Sequence, residues 1–128
     1  MNALSGPDGV PTDELGGQEV LVISSRREAA HVVVTLTGEL DRDGTTRLAT
    51  EVQHALTDTP IEALAIDLRG LSFADSSGLQ AVLTAQENTR LAGVTFRVVG
   101  VSPAVRRVIH YAGVDNLLLP TDDDTDSV

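Results

Sequence analysis

One short stretch constrains this chain more than any other: Ala63-Leu64-Ala65-Ile66-Asp67-Leu68, an apolar run of strand length broken by a single acid, followed within a few residues by Leu71-Ser72-Phe73-Ala74-Asp75-Ser76-Ser77-Gly78-Leu79. The first part predicts a buried central strand, closed by the turn signal Arg69-Gly70. After the joint, Leu79, Val82, Leu83, Gln86 and Arg90 fall at helical spacing, with Gly93 as the stop. A strand that turns directly into a helix packed on it is the unit of an α/β layer structure. Three consecutive residues at the joint, Asp75, Ser76 and Ser77, are N-cap formers, and Ser77 with Gln80 three positions on matches the capping box. That pairing casts Ser77 as the cap and leaves Ser76 with a spare hydroxyl on the first helical turn. Unpaired backbone N–H groups and the positive end of the helix dipole tolerate phosphate there, which makes Ser76 the candidate phosphorylation site.

The rest of the chain alternates strand and helix signals. Val20-Leu21-Val22-Ile23-Ser24 predicts a first strand, Arg26-Arg27-Glu28 a turn, and His31-Val32-Val33-Val34-Thr35-Leu36-Thr37-Gly38 a second strand rich in β-branched residues. A connection that short implies an antiparallel hairpin. Leu48, Val52, Ala55 and Leu56 set up a helical stripe from about Thr45 to Thr57, ended by Asp58-Thr59-Pro60. Val94 to Val99 predicts a further strand. Ser102-Pro103 predicts a helix start whose stripe of Val105, Val108, Ile109 and Ala112 ends at Gly113. Asn116-Leu117-Leu118-Leu119-Pro120 fits a short strand or helix equally well. The expected fold is therefore α/β: a single domain with a mixed β-sheet, an N-terminal antiparallel hairpin and helices packed against it.

Composition narrows what such a domain can do. At 128 residues the chain matches one domain, and its formal net charge of -10 with 2% aromatic residues provides neither a basic groove nor base-stacking platforms, so no direct nucleic-acid partner is expected. Residues 1–18, rich in Gly, Pro, Asp and Glu, predict a disordered N-terminal extension. Residues 19–120 carry the domain, and residues 121–128 predict an acidic disordered tail. No run approaches about 18 apolar residues and Met1 to Asp8 has no signal-peptide pattern, so a cytoplasmic protein off the membrane is expected. No metal or other cofactor is expected: cysteine is absent, and His31, His54 and His110 show no ligand spacing. Ala74-Asp75-Ser76-Ser77-Gly78 is a loose relative of a hydrolase nucleophile elbow. An alanine replaces its first glycine, however, and His110 precedes Asp115 where the acid should come first, so an enzyme is not expected.

Three motifs taken together carry a family likeness. Gly38-Glu39-Leu40-Asp41 stands before the first helix, Asp75-Ser76-Ser77-Gly78-Leu79 lies at the joint, and Ser102-Pro103-Ala104-Val105-Arg106-Arg107 follows later. In this order on these elements they resemble the STAS domain of bacterial anti-sigma-factor antagonists, from roughly Val20 to Pro120. The resemblance implies that the serine after the motif aspartate, Ser76, is phosphorylated by the partner, an anti-sigma factor that is itself a serine kinase. It also implies a partner-binding rim of Asp41, Asp75, Ser77, Gly78 and Leu79. The unphosphorylated form would bind the anti-sigma factor and release the sigma factor, phosphorylation would block binding, and a phosphatase would reset the switch. The alternative is a STAS scaffold without phosphorylation, or an accessory subunit of a signalling or membrane transport complex, in which the serines only cap.

Overall fold

The fold was obtained as a computed structural model, and residues 20–118 are described. The expected terminal segments, 1–18 and 121–128, lie outside the described residues. Strand β1 (Val22–Glu28) pairs antiparallel with β2 (His31–Leu40). A 3₁₀ turn, Arg42–Gly44, leads into α1 (Thr45–Asp58). Then come β3 (Ala63–Ala74), α2 (Ser76–Leu91), β4 (Thr95–Val101), α3 (Pro103–Ala112) and a short α4 (Asp115–Leu118). The sheet order is β1-β2-β3-β4, with β2, β3 and β4 mutually parallel. The expected mixed sheet with an antiparallel hairpin is what forms, and the ambiguous segment after Val114 begins as helix.

Strand alternation divides the sheet into two faces. Val32, Val34 and Leu36 of β2 and Leu64, Ile66 and Leu68 of β3 are buried in one core with Leu48, Val52, Leu79, Val82, Val105 and Ile109 of the helices. Their neighbours Val33, Thr35, Ala63, Ala65 and Asp67 stay half-exposed. Helix α3 is built as its sequence predicts. Ser102 Oγ accepts from Val105 N–H at 3.2 Å, Pro103 occupies the first turn, and Gly113 closes the helix in the left-handed region at φ 75°. Its stripe is narrower than expected, because Ala112 is exposed.

Two expected turns are placed differently by the fold. The hairpin turns at Ala29-Ala30 instead of Arg26 to Glu28, with the last pair Glu28 and His31, and Ala29 takes φ 56°. A two-residue loop must carry positive φ to match strand twist, a position that favours glycine. The Arg69-Gly70 signal does not end β3. The strand absorbs an extra residue there, since Asp67 faces Thr35 but Gly70 faces Thr37, and it runs on to Ala74 past the end of its pairing with β4 at Leu68. Arg69 is anchored at this irregularity. Its Nε and Nη2 donate to the two oxygens of Asp67 at 3.0 and 2.8 Å, and its aliphatic stem lies over Gly100, where a Cβ would come within 2.9 Å of it.

Gly78 sets how closely α2 approaches the end of β2. A Cβ there would lie 2.2 Å from the Leu40 carbonyl oxygen and 2.9 Å from Leu40 Cγ. The helix can therefore start against the backbone of the neighbouring strand only because this position has no side chain. No helix among the described residues is long and apolar enough to cross a membrane.

Three outcomes follow from this architecture. Gly78→Ala gains about 1 kcal/mol in intrinsic helix preference but must displace a backbone oxygen, so a net loss of about 1–3 kcal/mol is expected in urea unfolding. Ala29→Gly relieves a left-handed alanine and should stabilise by about 0.5–1 kcal/mol in the same assay. The Asp67 carboxyl is held below its ordinary range, chiefly by side-chain hydrogen bonds from Arg69 and against partial desolvation, which raises it. Such a group adds stability above its unfolded value of about 3.9 and loses it as pH falls through the lower folded value. The urea midpoint of the wild type should exceed that of Asp67→Asn at neutral pH, with the gap closing below about pH 4.

Candidate functional site

Because β2 and β3 are parallel neighbours, their carboxyl ends fall side by side, with Leu40 opposite Ala74. The residues that leave those ends, Asp41 and Asp75, therefore start two adjacent loops on one rim, where open α/β sheets commonly place their sites. A backbone hydrogen bond ties the loops together: Asp75 N–H donates to the Leu40 carbonyl at 3.3 Å. Each loop then starts a helical segment capped by its own aspartate. Asp41 Oδ1 accepts from Asp43 N–H at 3.0 Å at the head of the 3₁₀ turn, and Asp75 Oδ1 accepts from Gly78 N–H at 2.8 Å at the head of α2.

The second of these bonds corrects the expected capping box. Asp75 holds the N-cap position in extended backbone, φ -100°, and Ser77 lies inside the helix. The carboxylate of Asp75 reaches the Gly78 N–H, and its charge also suits the positive helix end. Both serines are consequently left over from capping, at the first and second helical positions. Ser76 is exposed and Ser77 half-buried. The more accessible of the two hydroxyls is that of Ser76, on a backbone fixed by the cap before it and the buried Gly78 and Leu79 after it. Those last two position the helix; Leu79 is core, 4% exposed.

Ser76 and Ser77 line the mouth of a cleft of about 640 Å³ between α1 and α2. Its lining is apolar at Ala49, Val52, Ala81 and Ala85 and carries hydroxyls and amides from Thr45, Thr46, Gln80, Thr84 and Asn88. One charged side chain is part of the lining: Arg42, in the 3₁₀ turn after Asp41. Sequence reasoning passed over Arg42, since nothing in the spacing of a surface arginine signals that it will line the same cleft as Ser76. The other sequence-predicted site residues do assemble, Asp41, Asp75, Ser76 and Ser77 sharing the rim where β2 and β3 end. Three or more His, Cys, Asp or Glu side chains grouped to hold a metal do not occur among the described residues.

Comparison with known proteins places this arrangement. A family model described as Mlab, STAS domain, matches residues 23–120. The anti-sigma F factor antagonist of Lysinibacillus sphaericus is 33% identical over 84 residues, covering 65% of this chain and 71% of that protein. Among solved structures, an anti-sigma factor antagonist from Mycobacterium paratuberculosis superposes with a TM-score of 0.66 at 29% identity, over 84% of this chain and 92% of that one. The anti-sigma factor antagonist SpoIIAA in its unphosphorylated form shares the fold, with a TM-score of 0.66 at 22% identity over 84% and 98% of the two chains. With a family model over most of its length and a relative of 33% identity in agreement, the chain belongs to the STAS-domain family of anti-sigma-factor antagonists.

Proposed function

We propose that this protein works by partner switching in the cytoplasm, with the charge on Ser76 as the control. In the unphosphorylated state the rim of Asp41, Asp75, Ser76 and Ser77 docks on an anti-sigma factor with serine kinase activity, and the sigma factor held by that partner is released. The kinase then modifies Ser76, the complex dissociates, and a separate phosphatase restores the binding form. The chain acts as substrate and ligand in this cycle, not as a catalyst. The observation that carries the reading is the exposure of Ser76 at the first position of α2, beside an aspartate already engaged as the cap.

The physical consequence of modification is local. Phosphate adds about -1.5 to -2 charge and strong acceptor oxygens at a helix N-terminus, where the dipole contributes a stabilisation of about 0.3–1 kcal/mol. The neighbouring Asp75 carboxylate opposes part of that gain, so the fold of the free protein changes little. A partner seated on the rim meets a different balance, because it must desolvate a dianion or leave it unpaired. Every 1.4 kcal/mol of that penalty weakens the complex about tenfold. Release therefore requires no rearrangement of the sheet.

The test is to incubate the protein with its cognate kinase and ATP and map the product by mass spectrometry, alongside affinity measurements on Ser76→Ala and Ser76→Asp. Wild type should be labelled at Ser76, Ser76→Ala should not be labelled, and Ser76→Asp should bind the kinase about 100-fold or more weaker, equivalent to about 2.8 kcal/mol. Undiminished labelling of Ser76→Ala would move the acceptor elsewhere. Equal binding by Ser76→Asp and Ser76→Ala would favour a constitutive interaction module over a switch.

A further inference from the structure

All nine cationic side chains of this chain are arginines, and most of those in the described fold are already engaged. Arg26 pairs with Glu28, Arg69 with Asp67 and Arg90 with Glu87. Arg27 donates to Thr59 and to the Pro60 carbonyl, and Arg47 to the Leu21 carbonyl. Of the remainder, Arg97 lies on β4 and Arg106 and Arg107 on α3, away from the cleft lining. Arg42 alone lines the cleft that Ser76 also lines, and its guanidinium makes no ion pair among the described residues.

The backbone brings the two residues onto neighbouring, hydrogen-bonded loops. Arg42 lies two residues beyond Leu40 and Ser76 one beyond Asp75, and Leu40 and Asp75 are hydrogen-bonded to each other. Of the neighbouring acids, Asp41 accepts from Asp43 N–H and Asp75 from Gly78 N–H, while Asp43, beside Arg42 in the 3₁₀ turn, is not part of the cleft lining and forms no ion pair with Arg42 among the described residues. The rest of the cleft lining, contributed by α1 and α2, is uncharged. An arginine fork matches phosphate oxygens bidentately and is weakly hydrated, so it loses little on leaving water.

Resting on the reading of Ser76 as the phosphate acceptor, we infer that Arg42 is the intramolecular counter-charge for phosphoserine at position 76, bridging the mouth of the α1–α2 cleft in the modified form. Phosphorylation then does two things at once. It places a dianion on the docking rim and withdraws from that rim the one cation that lines it.

The experiment installs phosphoserine at position 76 by genetic encoding, so that no kinase is needed, and follows the phosphate by ³¹P NMR as pH is varied. The second ionisation of phosphoserine lies near pH 6, and an adjacent guanidinium favours the dianion. The transition in the otherwise wild-type protein should fall about 0.5 pH unit or more below that in Arg42→Gln, with Arg42→Lys between them. Arg106→Gln, a surface charge removed elsewhere, should titrate as wild type. Coincident curves for wild type and Arg42→Gln, or an equal shift in Arg106→Gln, would overturn the role of Arg42. A failure of the kinase to label Ser76 would instead sink the proposed function, and because the phosphate here is encoded, the two failures are told apart.

Discussion

The hydrogen bond from Asp75 N–H to the Leu40 carbonyl, with the side-chain-free face of Gly78 pressed on that same carbonyl, is the constraint that the site depends on. Parallel pairing of β2 with β3 brings two strand ends together, but pairing alone leaves the loops that follow free to diverge. This carbonyl receives one loop through a donor and admits the helix after it through an absent Cβ. Its environment is buried, with Leu40 fully inaccessible and Ala74 and Leu79 nearly so. The rim therefore inherits the rigidity of the core, and its polar groups sit on a backbone that packing already determines.

Each loop solves the same local problem in the same way. A strand ends, its last residue is apolar and buried, and the next residue is an aspartate whose carboxylate satisfies a backbone donor within the first turn. This leaves Ser76 and Ser77 without a capping duty, and a hydroxyl with no structural duty can be modified without dismantling the helix. Under the proposed switch, the division of labour between Asp75 and Ser76 would make a charge change compatible with an unchanged fold.

Much of this was legible in the residues. The β-branched run of β2, most of the helical stripes, the Ser102-Pro103 start and the Gly113 stop each follow from a single physical rule, and the structure repeats them. The misses also have identifiable causes. Arg26 to Ala30 contains no glycine, asparagine or proline, so the true turn at Ala29-Ala30 carries no local signature and forms because the strands on either side pair. Arg69-Gly70 does mark an irregularity, but a bulge and a turn use the same residue types and only the neighbouring strand decides between them. Capping was misassigned for a related reason: Asp75, Ser76 and Ser77 are all good caps, and the choice depends on where β3 releases the chain. Arg42 was invisible because its meaning lies in a neighbour 34 positions away in sequence.

The placement of Asp75 has a consequence for substrate recognition. Its carboxylate organises the first turn of α2 only while the strand before it and the carbonyl beside it are in place, so the geometry around the adjacent alcohol exists in the native protein and not in an excised segment. Under partner switching, the modifying enzyme would read a three-dimensional epitope, with little use for a linear consensus. A short peptide copied from this joint would offer the same letters without the shape, which would spare the many proteins in a cell that contain a similar run of small polar residues.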